Sequence, residues 1–367
     1  MKSNYKKLGQ FIRHVDVRNT DGKEDNLLGV SVQKKFITSI ANTVGTDFRK
    51  YKVVKRGQFT YIPDTSRRGD KIGIALLSEY EEGLVSNVYT VFEVIDKYEL
   101  IPEYLMLWFC RPEFDRYARS KSHGSVREIF DWDEMCNVEL PVPSHEEQKR
   151  IVDVYNTITE RINLKQKIND NLEATAQAIY KKQFIEDVNI SRLPSGWRID
   201  ILENVANLSA GGDKPDTYSD FLTDICNIPI YSNGIENEGL YGFTDKAKIF
   251  DECVTVSARG TVGYVFLREE PYVPIVRLIS VIPDTTQLTA KYLFFALKAI
   301  DLQSTGTSQQ QITVPDFKKR QILIPNKEAM NSFMSAIEPL FAAIRQNKTE
   351  IKALLALQCN CLTILSR

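Results

Sequence analysis

The chain has 367 residues, 43% hydrophobic and 26% charged, the composition of a globular protein too long for one ordinary core, so two or three domains are expected. A net charge of −1 and a pI of about 6.4 exclude a bulk polycation; residues 1–183 carry 29 Lys+Arg against 27 Asp+Glu and the remainder 18 against 21, or +2 and −3. No run of about 18 apolar residues is present to cross a membrane and no apolar stretch follows the first basic residues, so no membrane association and a cytoplasmic location are expected.

In chain order, the first half opens with short strand-like runs at Val53-Val54, Phe59 to Tyr61, Ile72 to Leu77 and Val88 to Val94, alternating with turns rich in Gly, Asp, Asn and Pro. Basic residues gather locally at Arg49, Lys50, Lys52, Lys55 and Arg56, at Arg67, Arg68 and Lys71, and from Arg111 to Arg127, the local concentration that phosphate contacts require. A hydrophobic helix is predicted from Leu105 to Cys110. After Pro143, Ser144-His145-Glu146-Glu147 reads as a capping box, in which the serine accepts from a free amide while Glu147 reaches back.

A long helix follows, with apolar residues at Ile151, Tyr155, Ile158, Ile162, Ile168, Leu172, Ala176 and Ile179 in steps of three and four, a narrow seam of the coiled-coil kind. A helix over 146–183 would span roughly 57 Å, longer than a domain of this size, so it should reach beyond its own half. The joint between halves falls at Glu186 to Trp197. The second half repeats the order, with strand-like runs at Ile228 to Tyr231, Cys253 to Ser257, Val262 to Leu267 and Leu278 to Ile282, and a helix from Leu293 to Lys298. Asn326 caps a second long helix, whose seam runs Met330, Phe333, Ile337, Leu340, Ile344, Ile351 and Leu354. Pro339 should kink that helix or tighten its first turns.

The second half therefore restates the first. Gly124-Ser125 matches Gly306-Thr307, Met135 matches Phe317 and Pro143 matches Pro325, all at one constant offset along the chain. Lys71 to Ala75 aligns with Thr261 to Val265, and Tyr104-Leu105 with Tyr292-Leu293. The fold class expected is α/β (α+β): two globular domains in tandem, each followed by a long helix, the helices pairing as an antiparallel coiled coil with pseudo-twofold symmetry. Two ordinary core helices in one large domain is the alternative.

Leu193-Pro194-Ser195-Gly196-Trp197 with Ile201 to Ala206, Arg49 to Tyr61, Gly306 to Gln310, and Pro143 to Arg150 together resemble the specificity subunits of type I restriction–modification systems. The resemblance covers essentially the whole chain, twice and in order. The first half departs from it by lacking the Leu-Pro-x-Gly-Trp opening and starting at Tyr5-Lys6-Lys7-Leu8-Gly9, and the second by having Asn326-Lys327-Glu328-Ala329 in place of a Glu-Gln pair. On this resemblance, residues 1–143 and 186–325 are target-recognition domains, and 144–185 and 326–367 are spacer helices.

The resemblance implies a subunit that binds double-stranded DNA, each domain reading one half of a split, asymmetric site. The helices would set the spacing and dock two methyltransferase subunits, and restriction/translocase subunits would complete the complex. No cofactor is expected on this chain, S-adenosylmethionine belonging to the methyltransferase partners. Candidate DNA-binding residues are Arg67, Arg68, Lys71, His123, Ser125 and Arg127 in the first half, and Ser232, Asn233, Arg259, Thr261, Ser308, Gln309 and Gln310 in the second, residue types that meet base edges and phosphates. Each also reads as an ordinary polar loop residue. Candidate helix-pairing and partner-binding residues are Ile151, Tyr155, Ile158, Ile162, Leu172, Ile179, Phe333, Ile337, Leu340, Ile344, Ile351 and Leu354.

Catalysis is not expected. The chain has no Pro-Pro for a methyltransferase motif and no G-x-x-x-x-G-K-[ST] phosphate loop. Asp316 with Glu350 and Lys352 mimics a nuclease motif only in spacing, because the last two fall in a helix seam. Six cysteines lie outside any C-x-x-C pair and only three histidines are present, so reduced thiols are expected and a metal site is not. The competing readings are a helical protein-interaction adaptor and the recognition subunit of another multisubunit restriction enzyme.

Overall fold

The computed structural model describes residues 5–39, 45–65, 71–123, 128–300 and 311–365. The chain forms two compact units, one of Met1–Gln166 with Lys348–Arg367 and the other of Lys167–Asn347. The unit boundary thus falls within both long helices.

The first unit contains β1 (Tyr5–Lys7), β2 (Ile12–Val15), β3 (Leu28–Val30), β4 (Phe36–Thr38), β5 (Lys52–Lys55), β6 (Gln58–Tyr61), β7 (Ile74–Leu76), β8 (Glu82–Val85) and β9 (Thr90–Val94). It continues through α1 (Pro102–Phe109), α2 (Pro112–Ser120), α3 (Trp132–Cys136), β10 (Glu139–Pro141) and the start of α4 (His145–Lys181). An antiparallel sheet in the order β2-β9-β6-β7 carries the core. Every residue of β6 is buried, and Phe59 stacks on Phe92 at 4.8 Å and meets Phe109 edge-on at 5.8 Å. Pro102 opens α1, where its fixed φ suits the first turn and its missing N–H loses nothing.

The second unit contains β11 (Arg198–Ile201), α5 (Leu202–Val205), β12 (Ala206–Ala210), β13 (Ile228–Tyr231), β14 (Leu240–Thr244), β15 (Cys253–Val256), β16 (Val265–Arg268), β17 (Val273–Pro274) and β18 (Ile279–Pro283). It closes with α6 (Ala290–Ala299), α7 (Val314–Lys318), β19 (Gln321–Ile324) and the start of α8 (Lys327–Ile364). Its main sheet, β12-β18-β15-β16, has the same antiparallel connectivity as that of the first unit.

The duplication is therefore structural. α3 and α7, and the starts of α4 and α8, are separated by the same offset that relates Pro143 to Pro325. Their caps agree: Asp131 accepts from the Glu134 amide at 2.8 Å, and Thr313 from the Asp316 amide at 3.4 Å. Tyr104 donates its hydroxyl to the Pro141 carbonyl at 3.0 Å, and Tyr292 donates to the Leu323 carbonyl at 2.6 Å. β1 pairs with β10 as β11 pairs with β19, so the first half makes this strand without the Leu-Pro-x-Gly-Trp opening. One alignment shifts by a residue. Tyr61 pairs with Ile74 as Val256 pairs with Val265, so Ile74, not Ala75, corresponds to Val265.

The copies diverge away from this frame. The first unit adds the pairs β3–β4 and β5–β8, whereas the second adds a β14-β13-β17 sheet in which β13 and β17 run parallel.

Within each unit the two long helices lie alongside each other in opposite directions. In the first, Arg161 and Lys165 pair with Glu350, Gln358 donates to Thr159 at 2.7 Å, and Val152 shares a core with Leu365. In the second, Asn347 donates to Asn169 at 2.8 Å, and Tyr180 and Phe184 share a core with Phe333 and Ile337. The Ser144 hydroxyl accepts from the Glu147 amide at 3.3 Å, as a capping box requires, while the Glu147 carboxylate takes Arg150 at 2.7 Å rather than reaching back. Asn326 caps α8 by accepting from the Ala329 amide at 2.9 Å.

Pro339 stands inside α8, which is continuous across it. It has no N–H to give the Ser335 carbonyl, and it is exposed, so no packing depends on its ring. Pro339→Ala is expected to stabilise the protein by roughly 1–2 kcal/mol, the gain of a helical hydrogen bond and propensity less the stiffness lost from the unfolded chain. A lower urea midpoint for the variant would contradict this.

Candidate functional site

In the second unit, the described candidates converge on three loops joined through one carboxamide. Asn233 follows β13; its Nδ2 donates to the Val276 carbonyl at 2.7 Å, and its Oδ1 accepts from the Ala258 amide at 2.8 Å. Thr261 donates its hydroxyl to the Asn233 carbonyl. Asn233 and Thr261, both expected as DNA-contacting residues, hold loops together with these groups.

Arg259 is exposed, and with the Gln311 carboxamide oxygen turned toward it, donates Nη2 and Nε at 3.1 and 3.2 Å. Gln311 directly follows the predicted Ser308, Gln309 and Gln310, which lie outside the described residues, and the Ile312 amide donates to the Ala258 carbonyl at 3.0 Å. Ser232 is half-buried, and its amide donates to the Gly239 carbonyl at 2.8 Å. Gly239 has a φ of +81°, and a Cβ there would collide with the Ser232 carbonyl oxygen, so only glycine closes this turn.

A buried arginine supports the same loops from beneath. Arg268, 3% exposed, donates Nε to Thr255 at 3.0 Å and Nη2 to the Glu238 carbonyl at 2.6 Å, with its guanidinium 3.5 Å from the centre of the Tyr231 ring. Burial pushes its pKa down from the usual arginine value, and the Tyr231, Glu238, Tyr272 and Cys253 groups oppose that. Beside it Cys253 and Tyr272 share a hydrogen bond at 3.1 Å, and burial lifts the thiol to about 11, so it is no thiolate nucleophile.

Arg277 is not among the candidates that the sequence offers. It is exposed and follows Val276, and both have left-handed backbones, with φ of +61° and +53°. The signal available was a lone cation interrupting an otherwise apolar run from Val273 to Ile279. Gly211 makes room for this turn, and Gly212 joins it through its backbone. A Cβ on Gly211 would lie 2.7 Å from Pro274 backbone, and the Gly212 and Gly211 carbonyls accept from the Val276 and Arg277 amides at 2.9 and 3.0 Å.

In the first unit, Arg67, Arg68, Ser125 and Arg127 lie outside the described residues. The chain on either side of them is laced together: the Thr65 amide donates to the Glu128 carbonyl at 3.0 Å, and the Thr65 and Ser122 hydroxyls bond at 2.9 Å. His123 pairs by backbone with Ile129, and its exposed ring stands 3.9 Å from the Glu134 carboxylate. Lys71 is exposed, and beside it the Asp115 carboxylate takes both the Ile72 amide at 3.0 Å and the buried Lys34 ammonium at 2.5 Å. Several of the basic clusters are neutralised internally. Arg49 pairs with Asp47, Arg56 with Glu81 and Arg116 with Glu113, while Lys52 donates to the Tyr89 carbonyl and Arg111 packs on Trp108.

The helix seam is mostly internal packing. Phe333, Ile337, Ile344, Ile158 and Ile162 are buried, and Ile151, Tyr155, Leu172, Ile179, Leu340, Ile351 and Leu354 are half-buried, while Ile168 is exposed. The apolar helix residues facing outward are instead Val154, Leu164, Leu355 and Leu357.

Among the described residues no group of three or more His, Cys, Asp or Glu side chains could hold a metal ion, and no helix is long and apolar enough to cross a membrane. All six cysteines are unpaired. The Asp316 carboxylate accepts from the hydroxyl of Thr313, the cap of α7, at 2.6 Å, and Glu350 is engaged by Lys165 and Arg161, which hold its carboxyl below the usual range.

A family model for the type I restriction modification DNA specificity domain matches residues 7–174 and again 194–356. A putative type I specificity subunit of Mycoplasma pneumoniae is 33% identical over 141 residues, 38% of this chain and 39% of that protein. The chain thus spans about two fifths of the length of that relative, and the same share of a second one from this organism. The HindI type I restriction enzyme specificity subunit of Haemophilus influenzae is 21% identical across 95% of both chains. The crystal structure of a type I restriction-modification S subunit from M. genitalium shares the fold, with a TM-score of 0.55 at 14% identity over 99% of this chain and 96% of that one.

Proposed function

The chain belongs to the family of type I restriction–modification DNA specificity domains, and from that premise we propose that it is a DNA-recognition subunit directing partner enzymes to a split, asymmetric site. The observation that carries this reading is one frame built twice with different additions: the same sheet order, cap positions and tyrosine anchors, but β3–β4 and β5–β8 in one copy against β14-β13-β17 in the other. Equal frames bearing unequal polar loops suit two different short sequences, one per unit. The long helices, pairing as a coiled coil, would set the spacing and dock two methyltransferase subunits. S-adenosylmethionine would be bound by those partners and not by this chain, which would itself catalyse nothing; restriction and translocase subunits would complete a restricting complex. An adaptor working through its helices alone would leave the duplicated sheets and their loops without a role.

Co-expression with its methyltransferase partner in a methylation-free host, followed by genome-wide mapping of methylated bases, tests this. The expected result is one bipartite motif with two unlike halves. A continuous palindrome, or no added methylation, would defeat the proposal.

A further inference from the structure

Arg277 carries an exposed side chain on a backbone held from several sides. It and Val276 occupy the left-handed region in succession, which costs an L-residue on the order of 1–2 kcal/mol each, most severely for a β-branched one. Structure persists in such a conformation only when its surroundings impose it, and such positions concentrate at functional sites. Here the surroundings are identifiable. Gly211 and Gly212 accept both amides of the turn, the missing Cβ of Gly211 admits the Pro274 backbone, and Asn233 takes the Val276 carbonyl. The same Asn233 carboxamide takes the Ala258 amide, so one side chain tethers the residues preceding both Arg259 and Arg277. Among the described residues neither arginine pairs with a carboxylate, and whereas Gln311 occupies the Nε–Nη2 edge of Arg259, no such partner faces Arg277.

We propose that Arg277 is a specificity-determining residue that reads a guanine in the half-site recognised by the second unit, with Asn233 as its positioning residue. The inference rests on the DNA-recognition reading above. Two sources of acceptor oxygens suit an arginine fork, a phosphate and the O6/N7 edge of guanine. A phosphate contact tolerates a flexible side chain and carries no sequence information, so it needs no strained mount. A bidentate contact to guanine gains from a side chain that departs from a fixed point in a fixed direction, which the pinned Val276–Arg277 backbone supplies.

The test compares the wild-type complex with Arg277→Lys and Arg277→Gly, each co-expressed with the methyltransferase partner for methylation mapping, alongside thermal unfolding of the full chain. Both variants are expected to relax one G·C position in one half of the motif, by roughly 10- to 100-fold in preference, leaving the other half unchanged. Arg277→Gly should also unfold at or above the wild-type temperature, because glycine adopts a φ of +61° freely. Weaker binding with an intact motif and a lower salt dependence, rescued by lysine, would assign Arg277 to a phosphate and overturn the proposal. A lowered Tm with both halves relaxed, or an unchanged motif, would overturn it too. A wild-type complex with no split motif defeats the parent reading, whereas an intact split motif in Arg277→Gly defeats only the arginine assignment.

Discussion

Gln148→Met should destabilise the first unit by roughly 2–4 kcal/mol while leaving its volume almost unchanged, because three partly buried backbone groups lose their partner at once. The Gln148 side chain is fully buried at the root of α4; its Nε2 donates to the Glu99 carbonyl at 2.8 Å and the Pro143 carbonyl at 2.9 Å, and its Oε1 accepts from the Ile101 amide at 2.8 Å. One side chain thus joins the segment before α1 to the entry of α4. Removing it leaves each group without its partner in a partly closed site, at about 1 kcal/mol apiece, near the low end of the range for an unsatisfied group. Methionine is the informative replacement because Met330 stands at the equivalent position of the second copy and is likewise buried. The second unit anchors its helix differently, through Asn326 donating to the Ser195 carbonyl at 3.1 Å. Urea unfolding combined with hydrogen exchange should show the loss confined to residues around 99–105 and 143–152. A change below about 1 kcal/mol would mean these contacts are replaced by water at little cost.

Phe333→Ala should cost the second unit about 3–5 kcal/mol, the range for removing a large aromatic from a closed core. Phe333 is fully buried and presents itself edge-to-face to Phe184, Tyr180, Tyr292 and Phe295, with ring centres 5.2, 6.0, 6.1 and 6.1 Å away. These rings come from α4, α6 and the π-helical turn Lys182–Glu186, so the cavity would open where three segments meet. It would also loosen Tyr292, whose hydroxyl anchors β19. Trp197 lies 5.6 Å from Phe184 and gives a fluorescence signal local to this core. Phe333→Leu, which refills most of the space, should lose much less. Equal losses for the two variants would show that the site collapses without a cavity penalty.

Gln148 was visible in the sequence as part of the Pro143-to-Arg150 run, yet its role was hidden, because Glu99 and Ile101 are nearly fifty residues away in the chain. The seam residues were recognised by spacing, but whether they faced a partner or a core depended on what packs against them. The clusters around Arg49 and Arg56 read as free positive charge, although Asp47 and Glu81 neutralise them, the second from well outside its cluster. Asn233 and Thr261 read in the sequence as candidate DNA contacts, and the structure shows them fastening loops to one another.

The sequence by itself determined the duplication, the starts of the long helices and the buried face of each, because capping and helical periodicity act between residues three or four apart. Those interactions are written locally, and they recur at the constant offset of the second copy with the same kinds of donor and acceptor. Tertiary structure alone decided which strands pair, which polar side chains hold the frame, and which cation stands exposed on a strained turn. The physical reason is that a carboxamide or guanidinium takes its role from partners that the fold brings near. Asn233 acts through residues 25 and 43 positions away, and Arg277 owes its backbone conformation to Gly211 and Gly212, on the far side of β13 to β17 in the chain.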